Sequence, residues 1–97
     1  MTIAREYRMV AQPDAADELL AALTALASAL QDLPGFEGAE LMQDQAAPGR
    51  FVFLEKWASV QAHADSGARL PKEALSRVMG LLGDKPQVAT YEVVRSA

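Results

Sequence analysis

The spacing of apolar residues changes period several times along this chain, and the order of those changes leaves few topologies open. From Thr2 to Ala11, Ile3, Tyr7 and Met9 share one face with Arg5, while Ala4, Glu6, Arg8 and Val10 share the other, the period of two expected of a strand. Pro13 stops it. Asp14 is placed to cap a helix, and Asp17 three residues on makes a weak capping box whose negative charge suits the helix N-terminus. Leu19, Leu20, Leu23, Leu26, Ala27, Leu30 and Leu33 then recur at spacings of three and four, which gives a helix one apolar face. Pro34-Gly35 ends it, because proline cannot continue a helix and glycine tolerates positive φ.

Phe36 to Asp44 reads as a second strand and Gln45 to Gly49 as a loop with turn chemistry in Pro48-Gly49. Arg50 to Trp57 is the strongest strand: Phe51, Phe53, Glu55 and Trp57 point one way, Val52, Leu54 and Lys56 the other. The two strands are close enough to form a hairpin. Ser59 caps a further helix on which Val60, His63, Gly67 and Leu70 form a stripe. Pro71 breaks that helix and opens a second piece with Leu75, Val78, Met79 and Leu82 on its apolar face. Gly83-Asp84-Lys85-Pro86 is a turn, and Gln87 to Arg95 is a last strand rich in β-branched and aromatic residues.

The order β-α-β-β-α-β is the split β-α-β, or ferredoxin-like, arrangement. It predicts one α+β domain over residues 1–97, with a four-stranded antiparallel sheet and its helices on one face. Large apolar side chains occupy both faces of the third strand, so the second sheet face also needs cover. A chain of 97 residues buries only about 60–65% of its unfolded surface. A second copy of the same chain is the simplest cover, and a homodimer is expected.

Charge excludes some functions. The net charge is -4, with acidic and basic residues interspersed and no run of one sign, so the basic face of a nucleic-acid binder is missing. There is no cysteine, hence no disulfide, thiolate metal site or cysteine nucleophile, and a lone histidine cannot build a typical zinc site. No apolar stretch is long enough to span a membrane, and the early charges Arg5 and Glu6 do not suit a signal peptide. A cytoplasmic protein without metal, nucleic acid or membrane partner is expected. The phosphate-loop, dinucleotide-binding and nucleophile-elbow motifs are absent.

The block Phe51-Val52-Phe53-Leu54-Glu55-Lys56-Trp57-Ala58-Ser59 resembles the third-strand signature of the antibiotic biosynthesis monooxygenase family, an apolar strand ending in Glu-x-Trp-x-Ser before a helix. The leucine-rich first helix and the strand after Pro34-Gly35 resemble it too. The resemblance implies a dimeric α+β barrel with a cavity between sheet and helices in each subunit. Some members oxygenate polycyclic aromatic substrates with O2 and neither metal nor flavin; others act on quinones or cleave haem. The sequence also departs from the family. Ser66 and Lys72 stand where many members carry histidines, His63 lies almost one turn earlier, and the chain has no asparagine, which argues against haem cleavage.

Oxygenation without a cofactor needs an acidic phenol or enol, a base, an apolar pocket and exclusion of water. His63 is the only histidine and so the one side chain that ordinarily titrates near neutrality. Trp57 could stack on a planar ligand, and Arg5 could steady an enolate. These three are the catalytic candidates, with Tyr7, Phe53, Glu55, Met42 and Tyr91 as candidate pocket wall. Each has an ordinary structural reading as well. His63 could be a half-buried histidine satisfied by a carbonyl, and Trp57 a packing anchor with a bonded indole N–H. Glu55 could be a paired buried carboxylate, and Met42, Met79 and Met9 core filler. The functional expectation is a cofactor-independent monooxygenase acting on a hydroxylated aromatic or quinol. The alternatives are a non-catalytic small-ligand-binding or interaction domain on the same scaffold, and an isomerase or decarboxylase that uses no O2.

Overall fold

The structure, a computed structural model, describes residues Met1 to Ala97. The elements run β1 (Ile3–Val10), α1 (Ala16–Leu30), β2 (Phe36–Gln43), β3 (Arg50–Trp57), α2 (Val60–Ser66), α3 (Lys72–Leu81) and β4 (Gln87–Glu92). The strands form one antiparallel sheet in the order β2-β3-β1-β4, which is the ferredoxin-like α+β arrangement. In β1 and β3 the register places Ile3 opposite Trp57, Arg5 opposite Glu55, Tyr7 opposite Phe53 and Met9 opposite Phe51. Directly opposed residues point the same way, so these eight side chains share one sheet face.

That face meets the helices. Leu19, Leu23, Leu26 and Leu30 of α1, Val78 of α3, Leu82, and Ile3, Met9, Phe51, Phe53 and Trp57 of the sheet make one buried cluster. The leucine stripe behaves as its spacing requires, with Leu20 exposed and Ala27 and Leu33 half-buried. The other face has no helix over it. Val52 and Leu54 are half-buried there, and Val10, Met42 and Tyr91 are exposed. Glu6 and Arg8 form an ion pair of 3.0 Å on the same face.

Three local expectations are corrected. Asp14 does not cap α1. The Ala15 N–H donates back to the Gln12 carbonyl (3.0 Å), so Asp14 is consumed in a tight turn at φ 65°, and Ala15 takes the cap position without a side-chain bond. The helix also ends at Leu30, and a short turn from Gln31 leads to Pro34-Gly35. Val60, expected on the inward stripe of α2, is 64% exposed. The Ser59 cap is as expected: its Oγ accepts the Ala62 N–H at 3.0 Å.

Gly35 fixes how α2 approaches the sheet. Its φ is +80°, its carbonyl accepts the Ala58 N–H at 2.8 Å, and a Cβ there would lie 2.5 Å from the Ala62 Cβ. Gly35→Ala combines left-handed backbone strain with a clash against α2, and a loss of about 2–4 kcal/mol is expected in urea denaturation. A loss below about 0.5 kcal/mol, the range of neutral surface changes, would mean that α2 is free to move away.

Candidate functional site

A cavity of about 330 Å³ lies between the inner sheet face and the helices. Tyr7 and Met9 of β1 and Phe53, Glu55 and Trp57 of β3 form its sheet side. Leu23 and Leu26 of α1, His63 of α2, Leu75, Val78 and Met79 of α3, and Val88 of β4 close the rest. The alternation of β3 sends every second residue inward, which is why an aromatic, a carboxylate and an indole stand in one row. The cap at Ser59 starts α2 where its first turn brings His63 back over that row.

The polar groups of the wall form one connected set. The Trp57 indole Nε1 donates to Glu55 Oε1 at 2.9 Å. The Tyr7 hydroxyl stands 3.4 Å from the same Glu55 oxygen and 3.4 Å from His63 Nε2. Arg5 Nε donates to the Tyr7 oxygen at 3.3 Å, and the Arg5 guanidinium carbon lies 5.3 Å from the Tyr7 ring centre. His63 Nδ1 has no hydrogen-bond partner in the chain, and no buried side-chain nitrogen or oxygen lacks one, so Nδ1 opens onto accessible space. The Trp57 ring is held edge-on between Phe36 (5.2 Å between centres) and His63 (5.6 Å).

Burial sets the protonation of these groups. It lowers the His63 pKa below 6.5, and the nearby Arg5 charge lowers it further, so the imidazole is neutral at neutral pH. Burial raises the Tyr7 pKa above 10.0 and the Glu55 charge adds to that, against the opposing pull of Arg5, so the phenol keeps its hydrogen. Burial also raises the Glu55 pKa above 4.5, against the Trp57 donor, the Arg5 charge and the Tyr7 hydroxyl. The result is a neutral base, a hydroxyl able to pass a hydrogen, and a carboxylate with raised proton affinity, in sequence. No three His, Cys, Asp or Glu side chains are grouped so as to hold a metal ion.

The profile of the antibiotic biosynthesis monooxygenase family matches residues 2–69. The chain belongs to that family. Solved structures share the fold at low identity. Rv0793 from Mycobacterium tuberculosis is 23% identical, with a TM-score of 0.82 over 100% of this chain and 99% of its own. An antibiotic biosynthesis monooxygenase is 21% identical at a TM-score of 0.83, covering 96% of this chain and 99% of its own. SnoaB, a cofactor-independent oxygenase from Streptomyces nogalater, is 14% identical at a TM-score of 0.86, covering 98% and 95%. No curated protein sequence matches. Within this family member the matched stretch contains Tyr7, Glu55, Trp57 and His63, whereas α3 and β4 lie beyond it.

Of the residues expected from sequence, Trp57, His63, Tyr7, Phe53 and Glu55 all line the cavity. Arg5 does not. It shares their sheet face but reaches outward along the sheet, where its Nη1 donates to Thr90 Oγ1 at 2.7 Å, and it meets the site only through Tyr7. Met42 and Tyr91 are not part of the wall either. Met42 pairs with Val52 and Tyr91 with Ala4, which puts both on the far sheet face, 44% and 48% exposed. Met79, expected as core filler, is 51% exposed at the cavity rim. Leu75 and Val88 join it there. Leu75 belongs to the apolar face of α3, which is wider than the core beneath it.

The raised Glu55 pKa has a consequence for stability. The folded chain holds the Glu55 proton more tightly than the unfolded chain, so between pH 4.5 and the raised value the folded state binds more protons. Stability from this group is present below that window and is lost as pH rises through it. Glu55→Gln keeps an oxygen for the Trp57 N–H but cannot ionise. It is expected to flatten the pH dependence of the denaturation midpoint and to be the more stable form above the window. A variant with the wild-type slope would show that folding leaves the proton affinity of Glu55 unchanged.

Proposed function

We propose that this protein is a cofactor-independent monooxygenase whose substrate is a small hydroxylated aromatic or quinol and whose oxidant is O2. The observation that carries this reading is an apolar cavity whose acid–base groups form a single line, His63 to Tyr7 to Glu55. The ligand's acidic hydroxyl gives its proton to His63 Nδ1. His63 Nε2–H then shifts toward the Tyr7 oxygen as the Tyr7 hydrogen shifts to Glu55, and Arg5 steadies the Tyr7 oxygen by donation. The imidazolium charge is thus spread into a carboxylate that readily accepts a proton.

The anion left in the cavity is electron-rich and dry. It passes one electron to O2, and the resulting pair combines into a carbon-bound peroxide. For a quinol, loss of water then leaves a hydroxyquinone: the ring supplies four electrons, one oxygen atom enters the product and the other leaves as water. Apolar walls favour the step because water would stabilise and protonate the anion.

The natural setting we propose is the cytoplasm, as a homodimer. No helix is long and apolar enough to cross a membrane. The uncovered sheet face, with Val52, Leu54, Val10 and Met42, supports a second copy of the chain as its cover. Light scattering after size exclusion is expected to give twice the chain mass, and a monomer at micromolar concentration would refute the pairing.

The reaction is tested by oxygen uptake over a panel of anthrones, naphthols and quinols. Consumption above the uncatalysed rate, abolished with the heat-denatured protein, is expected for at least one class. Product formation that continues without O2 would replace this reading with an isomerase or decarboxylase.

A further inference from the structure

The polar side chains lining the cavity are buried or half-buried, and its exposed lining is apolar. Its floor is the Glu55–Trp57 pair, 6% and 0% exposed, with Tyr7 and His63 half-buried beside it. Its rim is Leu75, Met79 and Val88, 46%, 51% and 46% exposed, with Pro86 next to them. Leu75 and Met79 stand one turn apart on α3, so they present one stripe, and Val88 faces the cavity from β4. No polar side chain stands among these four. Three large apolar side chains therefore stay half in water at a mouth that leads directly into an apolar cavity. These four offer a ligand hydroxyl no side-chain partner, whereas an alkyl group laid along them would bury both itself and the rim.

We infer that the natural ligand is amphiphilic: a phenol or quinol that carries an aliphatic substituent away from its acidic hydroxyl, with the substituent lying along Leu75, Met79 and Val88. The inference deepens the proposed function and rests on its placement of the acidic hydroxyl at His63. It assigns substrate choice to α3 and β4, outside the stretch that matches the family profile, and leaves proton handling to residues within that stretch.

Trp57 is the only tryptophan and lines the cavity, so its fluorescence reports occupancy without any turnover. The probes are phenol and 4-alkylphenols with one to eight carbons. The dissociation constant is expected to fall about two- to fourfold per added methylene over the first several carbons, the range set by partial to full burial of each group. Leu75→Ser and Met79→Ser change half-exposed positions, so a folded protein is expected, and each should flatten the series. Val88→Thr, which keeps the shape and adds a hydroxyl, should flatten it too. A series that is flat in the wild-type protein overturns the inference, as does a steep series that the rim variants leave unchanged. Failure of every phenol to alter the fluorescence overturns both the inference and the reading beneath it. A steep, rim-dependent series with no oxygen uptake by any anthrone, naphthol or quinol would leave the inference standing and remove the oxygenation. Uptake with a flat series would do the reverse.

Discussion

Turnover is expected to fall by about 10²–10⁴-fold when His63 is changed to Gln, the usual worth of a positioned general base. Glutamine can still offer a polar atom to the Tyr7 hydroxyl, and the site is only half-buried, so the fold should survive and the loss should appear in kcat more than in substrate binding. The pH profile makes the test sharper. His63 must be neutral to accept the proton, and burial and the Arg5 charge hold its pKa under 6.5. The wild-type kcat/KM should therefore be level through neutrality and drop only when the pH falls below that value. In the glutamine variant this acid limb should vanish along with most of the rate. An unchanged kcat, or an acid limb that persists, would move the base elsewhere. Tyr7→Phe separates the relay from the base: it breaks the line to Glu55 while leaving the imidazole, so a smaller loss is expected with the acid limb shifted but still present.

The second large effect is on stability. Trp57 is wholly buried, packed edge-on against Phe36 and His63, and its indole N–H satisfies the buried Glu55. Trp57→Ala should cost about 3–5 kcal/mol through the lost ring and the space it leaves. A domain of this size is typically stable by about 5–15 kcal/mol, so little reserve would remain. It also strips the Glu55 carboxylate of its shortest hydrogen bond, which makes the site itself collapse or hydrate. Trp57→Phe isolates this last part. It keeps an aromatic ring and removes the donor, and about 1–3 kcal/mol is expected from the unsatisfied carboxylate. Urea midpoints of both variants check the pair of values; equal stability of the phenylalanine variant and wild type would show that the Trp57–Glu55 bond contributes nothing net.

How far the sequence spoke for the structure varies by element. The alternation in Arg50–Trp57 is so regular that the inward row Phe51, Phe53, Glu55, Trp57 could be read directly, and the leucine spacing of α1 gave its buried stripe. Placing Tyr7 with that row followed from β1 having the same period. The misplaced residues have specific causes. Counted in twos from Phe36, Met42 falls on the face of Phe36. A bulge between Phe36 and Gly38, where Gly38 adopts φ 141°, inserts one extra residue and reverses the parity, so Ala39 and Leu41 face inward and Met42 outward. In β4 both sets of alternate residues contain an apolar side chain, so only the register with β1 reveals that Val88 faces the cavity and Tyr91 does not. Arg5 has the right parity, but its side chain bonds Thr90 on the neighbouring strand, a partner 85 positions away in sequence. The Asp14 turn was hidden because a residue of good capping chemistry is equally suited to positive φ.

In the proposed reaction a proton leaves the bound substrate along His63, Tyr7 and Glu55, and the remaining anion reacts with O2. The most direct measurement is mass spectrometry of the product formed under isotopically labelled O2 in ordinary water. One labelled oxygen atom per product molecule, with the labelled yield lost in His63→Gln, is the predicted result. Product oxygen drawn from water, or full labelling that persists in His63→Gln, would contradict the account.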